Sequence, residues 1–410
     1  MVALSKLRPA VSSPGRAQQR RELRQMDVGE VLRQLREPDS ESSEISRRQR
    51  GLSTSRLSAA VSFLLAKGLL ERTANGKSRA SSRNRALGIN AGYGHVVGVD
   101  IGASNLRIAL ADMSGSVLDK WSASTRETSS PDMVIEQIRG GVKCLLQRAS
   151  LPMRSLLAVA AGAPGITDGD AGVVMATSYL RGWKDVRLRR LLESALRIPA
   201  AVENDVRMAA IGENWRGAAR GVGNFVFLAI GTGIAAGVFA NGRLIHGADW
   251  TAGEIGYMHV PGGPEEAAGE RDPGSLESVI GGEGIQQQWL RGCVGTGETV
   301  SRDLSATEIF ERARAGDQLA ERILNRSAKM LAYAVYNISL VLNCSLFVLG
   351  GGVGMSEPLL DSTRRFLEAY SEPARPKLTV SSLGPDAQLI GAVRLALNQA
   401  DSQIGLVAGD

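Results

Sequence analysis

The sequence predicts an α/β protein in two parts, a small winged helix-turn-helix unit at the front and a larger, two-lobed α/β body behind it. Three observations predict it. Net positive charge is confined to the first 90 residues, which hold 18 Lys and Arg against 8 Asp and Glu, whereas the rest holds 30 against 34. Within that front segment an apolar stripe at helical spacing ends on a glycine, and further on a pattern of strand, glycine turn and strand occurs twice. At 410 residues the chain also exceeds what one hydrophobic core usually serves, since domains run to roughly 150 residues.

Residues 1–25 carry no periodic apolar face and are read as a disordered basic tail. The front domain is expected over 26–90. Its first helix lies in "MDVGEVLRQLRE", where Val28, Val31, Leu32 and Leu35 recur at three- and four-residue spacings. The stretch "SESSEISRRQRGLSTSRLSAAVSFLLAKGLLERT" then reads as short helix, turn, long helix. Ser53 can cap the long helix, Leu57, Ala60, Val61, Leu64 and Leu65 form its stripe, and Gly68 closes it. Arg47, Arg48, Gln49 and Arg50 make the shorter helix more polar than such a helix normally is. Leu69 to Arg72 and "TANGKSRASSRNRALGIN" suit two strands around a basic wing.

Basic charge gathered in one small domain points to a polyanion, because each neutralised phosphate releases condensed counterions. On duplex DNA, Thr54, Ser55, Arg56, Ser58 and Ala59 would face the groove, with Arg79, Arg83 and Arg85 near phosphates or in the minor groove. The same pattern also suits a helical unit used for protein contact, so the partner stays open at this level.

In the body, "HVVGVDIGASNLRIALADMSGSVLDKW" reads as a strand, a glycine turn and two further strands, joined by Asp112-Met113-Ser114-Gly115. Backbone N–H groups of Gly102 to Asn105 suit phosphate oxygens, and Asp100 suits a cation held through water. An ordinary hairpin has the same pattern. "FVFLAIGTGIAAGVFANGRLIHG" repeats the unit, and "SLFVLGGGVGMSEPLL" ends an apolar strand in glycines. Gly231 to Ala236 formally matches the dinucleotide fingerprint, but the turn leads into a strand, with Asn241-Gly242 as the next hairpin, where that fold needs a helix. Two copies of one hairpin unit point instead to duplicated lobes with a nucleotide or sugar between them. Asn204-Asp205 follows "RIPAAVE", a strand end opening into a helix. This places a carboxylate at the cleft floor, or simply caps the helix.

Cys144, Cys293 and Cys344 are too scattered for a disulfide framework or a cysteine zinc cluster, which suits a cytoplasmic setting. The longest uncharged run, Phe225 to Ala240, is shorter than the roughly 20 residues a membrane span needs. No secretory signal is expected from the basic N-terminus.

Taken together, "VGVDIGASNLRIALAD", "AAGAPGITD", "VENDVRMAAIGE", "AIGTGIAAGVFANGRLIHG", "TAGEIGYMHV" and "VLGGGVG" resemble the ordered motifs of the ROK family of sugar-responsive repressors, unassigned reading frames and sugar kinases. The resemblance covers residues 27 to 400. It implies an actin-like, two-lobed sugar-kinase fold, with lobe 1 over 93–212 completed by a C-terminal helix at 386–400, and lobe 2 over 213–385. It implies sugar contacts at Asn204, Asp205, Glu254, Tyr257 and Glu277, with Asp205 the general base if the protein is a kinase. Phosphate contacts, active or vestigial, fall to Asp100, Gly102, Ser104, Asn105, Gly231, Thr232, Gly233, Gly351 and Gly352.

Three departures stand out in the phosphate loops: Ala103 and Ala235 replace glycines and Ser104 a threonine. Family members commonly hold a structural zinc on a histidine and three cysteines; the matching positions here are Tyr257, Ala268, Glu270 and Ser275, so no metal is expected. His259, on a strand, would share a face with Tyr257. The front domain resembles the repressor branch. The expectation is therefore a sugar-responsive DNA-binding regulator of carbohydrate metabolism, with repression its expected sign. It would act on a duplex operator as a homodimer or homotetramer and respond to a sugar or sugar phosphate. The alternative is an ATP-dependent, glucokinase-like sugar kinase with an appended DNA-binding domain, in which case alone ATP and Mg are cofactors.

Overall fold

A computed structural model describes residues 28–36, 54–73, 86–125, 130–177, 180–261, 274–294, 304–372 and 375–407. The tail expected over 1–25, the short helix bearing Arg47 to Arg50, and Arg79, Arg83 and Arg85 lie outside them. The described residues form two compact units, one made of those before Gly94 together with those from Ala400 onward, the other running from Gly94 to Gln399.

In the first unit, residues 28–35 form helix α1 with Val28, Val31 and Leu32 buried, the face the spacing predicts. Helix α2 (Thr54–Ala66) buries Ala60 and Leu64. Gly68 follows it in left-handed backbone at φ +76°, and the N–H groups of Gly68 and Leu69 donate to the carbonyls of Leu65 and Leu64. A residue without Cβ enters that conformation without strain, so the helix stops here. Strands β1 (Leu70–Thr73) and β2 (Ala86–Ile89) then pair antiparallel, Leu70 opposite Ile89. Arg36, just past α1, makes a buried ion pair with Asp401, its Nη2 2.9 Å from Oδ1.

The second unit opens with β3 (His95–Ile101), β4 (Asn105–Asp112) and β5 (Val117–Ser124). There follow α3 (Pro131–Arg148), β6 (Leu156–Ala163), a small hairpin of β7 (Ile166–Asp168) and β8 (Val173–Ala176), α4 (Leu188–Leu196) and β9 (Ala200–Asn204). The sheet order is β5-β4-β3-β6-β9. Neighbours are antiparallel from β5 to β3 and parallel from β3 to β9. Every residue of β3 is buried, as befits a central strand covered on both faces.

After α5 (Asp205–Arg216) the pattern repeats with β10 (Phe225–Ile230), β11 (Ile234–Ala240) and β12 (Arg243–Leu244). Helices α6 (Glu277–Ile280), α7 (Gly282–Val294), α8 (Ala306–Arg314) and α9 (Gln318–Leu342) precede β13 (Leu346–Gly350). The chain continues through α10 (Gly351–Gly354), α11 (Glu357–Leu367), β14 (Lys377–Val380) and α12 (Ala387–Val407). The second sheet runs β12-β11-β10-β13-β14, again antiparallel from its hairpin edge to β10 and parallel beyond. The two sheets thus share one topology, the duplication the repeated hairpin predicts.

Turn chemistry sets these hairpins. Asp112 Oδ1 accepts the N–H groups of Ser114 and Ser116 at 2.9 and 3.0 Å between β4 and β5. Asn241 and Gly242, both at positive φ, join β11 to β12. One local expectation is corrected: Ile255–Tyr257 is a 3-10 turn rather than a strand, and Tyr257 and His259 are each exposed without a shared strand face. Gly253, at φ +99°, brings this turn so close to β11 that a Cβ there would lie 1.9 Å from the Ala236 carbonyl oxygen. No helix among the described residues is long and apolar enough to cross a membrane.

Candidate functional site

The tip of the β3–β4 hairpin, the β9–α5 junction and the start of α12 line an open cleft of about 360 Å³. Its lining is Asp100, Gly102, Ser104, Asn105, Arg107, Ser122, Asp205 and Gln388. Five of these are expected from the sequence; Arg107, Ser122 and Gln388 are not. Arg107 and Ser122 had a signal, because counting back across the turn pairs Asp100 with Arg107 and Arg107 with Ser122. Gln388 comes from the far end of the chain and has none.

Asp205 begins α5, and its carboxyl is pushed up to about 7. Loss of hydration is the main cause, the charges of Asp100 and Glu254 add to it, and the Val206 N–H, donating to Oδ1 at 2.8 Å, opposes it. A carboxyl poised near neutrality can take a proton from a hydroxyl or give one back. Burial likewise raises Asp100, against the pull of Arg107.

Arg107 changes the reading of Asp100. Its Nε and Nη2 donate to Asp100 Oδ2 at 2.8 and 2.6 Å, and its Nη1 donates to the Pro385 carbonyl. The carboxylate expected to face a hydrated cation is thus engaged by a guanidinium. Two backbone donors expected to face phosphate are also engaged. Gly102 N–H donates to the Asn105 carbonyl and Gly231 N–H to the Gly233 carbonyl, each at 2.9 Å. These amides close their own turns.

Asn204 caps α5: its Oδ1 accepts the Arg207 N–H at 2.9 Å, and its Nδ2 donates to the Gly165 carbonyl at 3.0 Å. Beside it lies a cluster the sequence reading missed. The buried Glu203 places Oε1 2.8 Å from Arg207 Nε and Oε2 2.8 Å from His246 Nε2. Arg207 also donates to the carbonyls of Thr167 and Trp250, and the His246 ring meets the Trp250 ring edge-on at 4.8 Å. These partners lie about forty residues apart in sequence, so no local pattern announces them.

The remaining expected residues sit outside the cavity lining. Glu254 precedes the 3-10 turn with its carboxyl raised, chiefly by burial, with Glu277 adding and Arg207 opposing. Tyr257 is 60% exposed. Glu277 starts α6, and its Oε2 accepts the Ile234 N–H at 2.9 Å, directly behind the Gly231-Thr232-Gly233 turn. Gly351 packs against the Ile230 carbonyl at the end of β10, whereas Gly352 faces open space. On α2, Thr54 is the first residue, Ser55 and Ser58 are exposed and Arg56 is half-buried.

Of the four positions matching zinc ligands elsewhere, Tyr257 offers a phenol to solvent, and Ser275 offers a buried hydroxyl that accepts the Val260 N–H at 3.1 Å. Ala268 and Glu270 lie outside the described residues. Tetrahedral structural zinc takes thiolates and imidazoles, and this donor set does not fit it. Among the described residues, no group of three or more His, Cys, Asp or Glu is placed to hold a metal ion.

Comparison with known proteins places the chain. The ROK family model matches residues 96–399. The glucokinase of Halalkalibacterium halodurans is 31% identical over 319 residues, covering 75% of this chain and 96% of that protein. The xylose repressor of Caldicellulosiruptor bescii is 22% identical over 350 residues, covering 82% of this chain and 86% of that one. The crystal structure of a ROK family transcriptional regulator, described as a homologue of the E. coli MLC protein, superimposes with a TM-score of 0.78 at 22% identity, over 94% of this chain and 99% of that one. Repressors and sugar kinases therefore both stand among its relatives, on one mixed α/β sugar-kinase-like architecture, and the chain belongs to the ROK family.

Proposed function

We propose that the protein is a DNA-binding transcriptional regulator, a repressor of carbohydrate genes, whose ROK region senses a sugar or sugar phosphate. The observation that carries this reading is the unit ahead of that region. There, helix α2 runs into the paired strands β1 and β2 within a segment holding 18 Lys and Arg against 8 Asp and Glu. The order suits a winged helix-turn-helix, with the exposed Ser55 and Ser58 on the helix available to a major groove. The likeness to a regulator over 94% of the chain supports the same assignment. A homodimer or homotetramer would present two such units to a duplex operator, and ligand closure in the ROK region would shift their spacing. A coupling of about 1–3 kcal/mol makes a usable switch.

The full-length protein should retain duplex DNA from its own upstream region, with affinity falling steeply as salt rises. No retention even at low salt would remove this reading.

One observation favours a second reading, an ATP-dependent sugar kinase with an appended DNA-binding domain: Asp205, raised to about 7, stands in the cavity beside Asp100 and is available as a general base. An assay of ADP release with ATP-Mg and a panel of hexoses separates the two. Turnover of order 1 per second or more supports the kinase.

A further inference from the structure

Three backbone segments interlock beside Glu254. Gly274 lies so close to the turn that a Cβ on it would stand 2.2 Å from the Gly256 carbonyl oxygen and 2.5 Å from Tyr257 Cα. One residue on, the Ser275 hydroxyl accepts the Val260 N–H at 3.1 Å; next, the Leu276 N–H donates to the Met258 carbonyl at 3.0 Å. Segment 274–276 therefore clasps segment 256–260. The following residues clasp the glycine turn: Glu277 Oε2 accepts the Ile234 N–H, the Gly282 N–H donates to the Gly231 carbonyl at 2.8 Å, and the Glu283 N–H to the Thr232 carbonyl at 3.2 Å. Ser275 is 6% exposed and Leu276 fully buried, so water cannot stand in for either bond.

We propose that Ser275 is a positioning residue that substitutes for a metal. At the four positions where the family resemblance implies zinc ligands, this chain has a phenol, a methyl, a carboxylate and a hydroxyl. The hydroxyl fastens Val260, just past the Glu254 turn, to the strip that carries Glu277, whose carboxylate in turn holds the end of the Gly231–Gly233 turn. The proposal rests on the reading of Glu254 and Glu277 as sugar contacts. It makes the site independent of zinc and of chelators. Loss of the hydroxyl would leave a buried N–H without an acceptor and loosen both carboxylates at once.

The test uses the full-length protein as wild type, Ser275→Ala and Ser275→Thr, the last keeping the acceptor oxygen. Hydrogen–deuterium exchange is followed over 231–236 and 254–260, with 95–101 as reference, and D-glucose, D-xylose and N-acetyl-D-mannosamine are titrated with and without EDTA. Ser275→Ala should speed exchange at least tenfold in the first two segments and leave the reference unchanged. It should also weaken at least tenfold the binding of whichever sugar the wild type takes, with Ser275→Thr close to wild type and EDTA without effect. Unchanged exchange in Ser275→Ala, faster exchange in the reference segment as well, or loss of protection in wild type on adding EDTA would each overturn the proposal. If the wild type takes none of the three sugars, the sugar-contact reading falls, and exchange alone decides whether Ser275 holds Glu277.

Discussion

Arg36 and Asp401, 365 residues apart in sequence, form an ion pair almost wholly withdrawn from water. Breaking a buried ion pair by removing one member typically costs about 3–5 kcal/mol. Asp401→Ala should therefore lower the unfolding midpoint of the front unit and open it to limited proteolysis. The double change Arg36→Met, Asp401→Leu should recover most of that loss. Equal midpoints for wild type and Asp401→Ala would show that the pair contributes nothing.

Arg207→Ala tests the second buried pair. It removes one of the two side-chain partners of Glu203, leaving His246, and two donors to the carbonyls of Thr167 and Trp250. A loss of about 3–5 kcal/mol is expected, measurable as a shift in the denaturant midpoint. Arg207→Lys should recover little, since three donors on a single nitrogen cannot span acceptors set around a planar guanidinium fork.

The raised carboxyl of Asp205 fixes the sign of a pH effect. Its folded-state value of about 7 lies above the ordinary 3.8. Between these two values the folded protein therefore holds a proton that the unfolded chain has lost, and stability falls as pH rises through that window. Asp205→Asn should flatten this limb and raise stability at pH 8 by about 1–2 kcal/mol, the full shift being reduced by partial solvent access. Thermal melts of both proteins from pH 5 to 8 read it, and parallel curves would show that Asp205 titrates normally.

A pair of glycine substitutions separates close approach from free space. Gly253→Ala places a methyl 1.9 Å from the Ala236 carbonyl oxygen at a positive φ, whereas Gly352→Ala meets nothing within 4 Å. The first should cost about 1–3 kcal/mol and displace Glu254, lowering sugar affinity in a titration. The second should leave sugar binding unchanged and stability equal to wild type or slightly higher, as Ala suits a helix better than Gly.

Much of the fold is legible in the sequence because it is encoded locally. Asp112 to Gly115, Asn241-Gly242 and Gly68 each fix a turn or a helix end through their own chemistry, and the apolar runs between them become the strands of two sheets. The site is legible only in part. Asp100 and Asp205 are marked by the strand ends they occupy, but what they meet is decided by pairing register and by distant chain. Register alone brings Arg107 onto Asp100, and long-range packing brings Gln388 to the cavity and His246 to Glu203. Tyr257 and His259 lack the shared strand face expected of them because Gly253 and the clasp by 274–276 bend this segment into a turn.

The shared topology makes each hairpin a control for the other. Asp100 stands opposite Arg107 one step back from the first glycine tip, and the corresponding positions of the second, Ala229 opposite Ala235, carry two methyl groups. The first tip closes from Gly102 to Asn105, while the second closes one residue sooner, from Gly231 to Gly233. The duplicated halves have thus divided their labour: one hairpin keeps ionisable side chains and a wider loop, the other a tighter, uncharged bend. Exchanging the two pairs, Asp100/Arg107 for Ala229/Ala235, would transplant the charge from one half to the other without altering either strand's length.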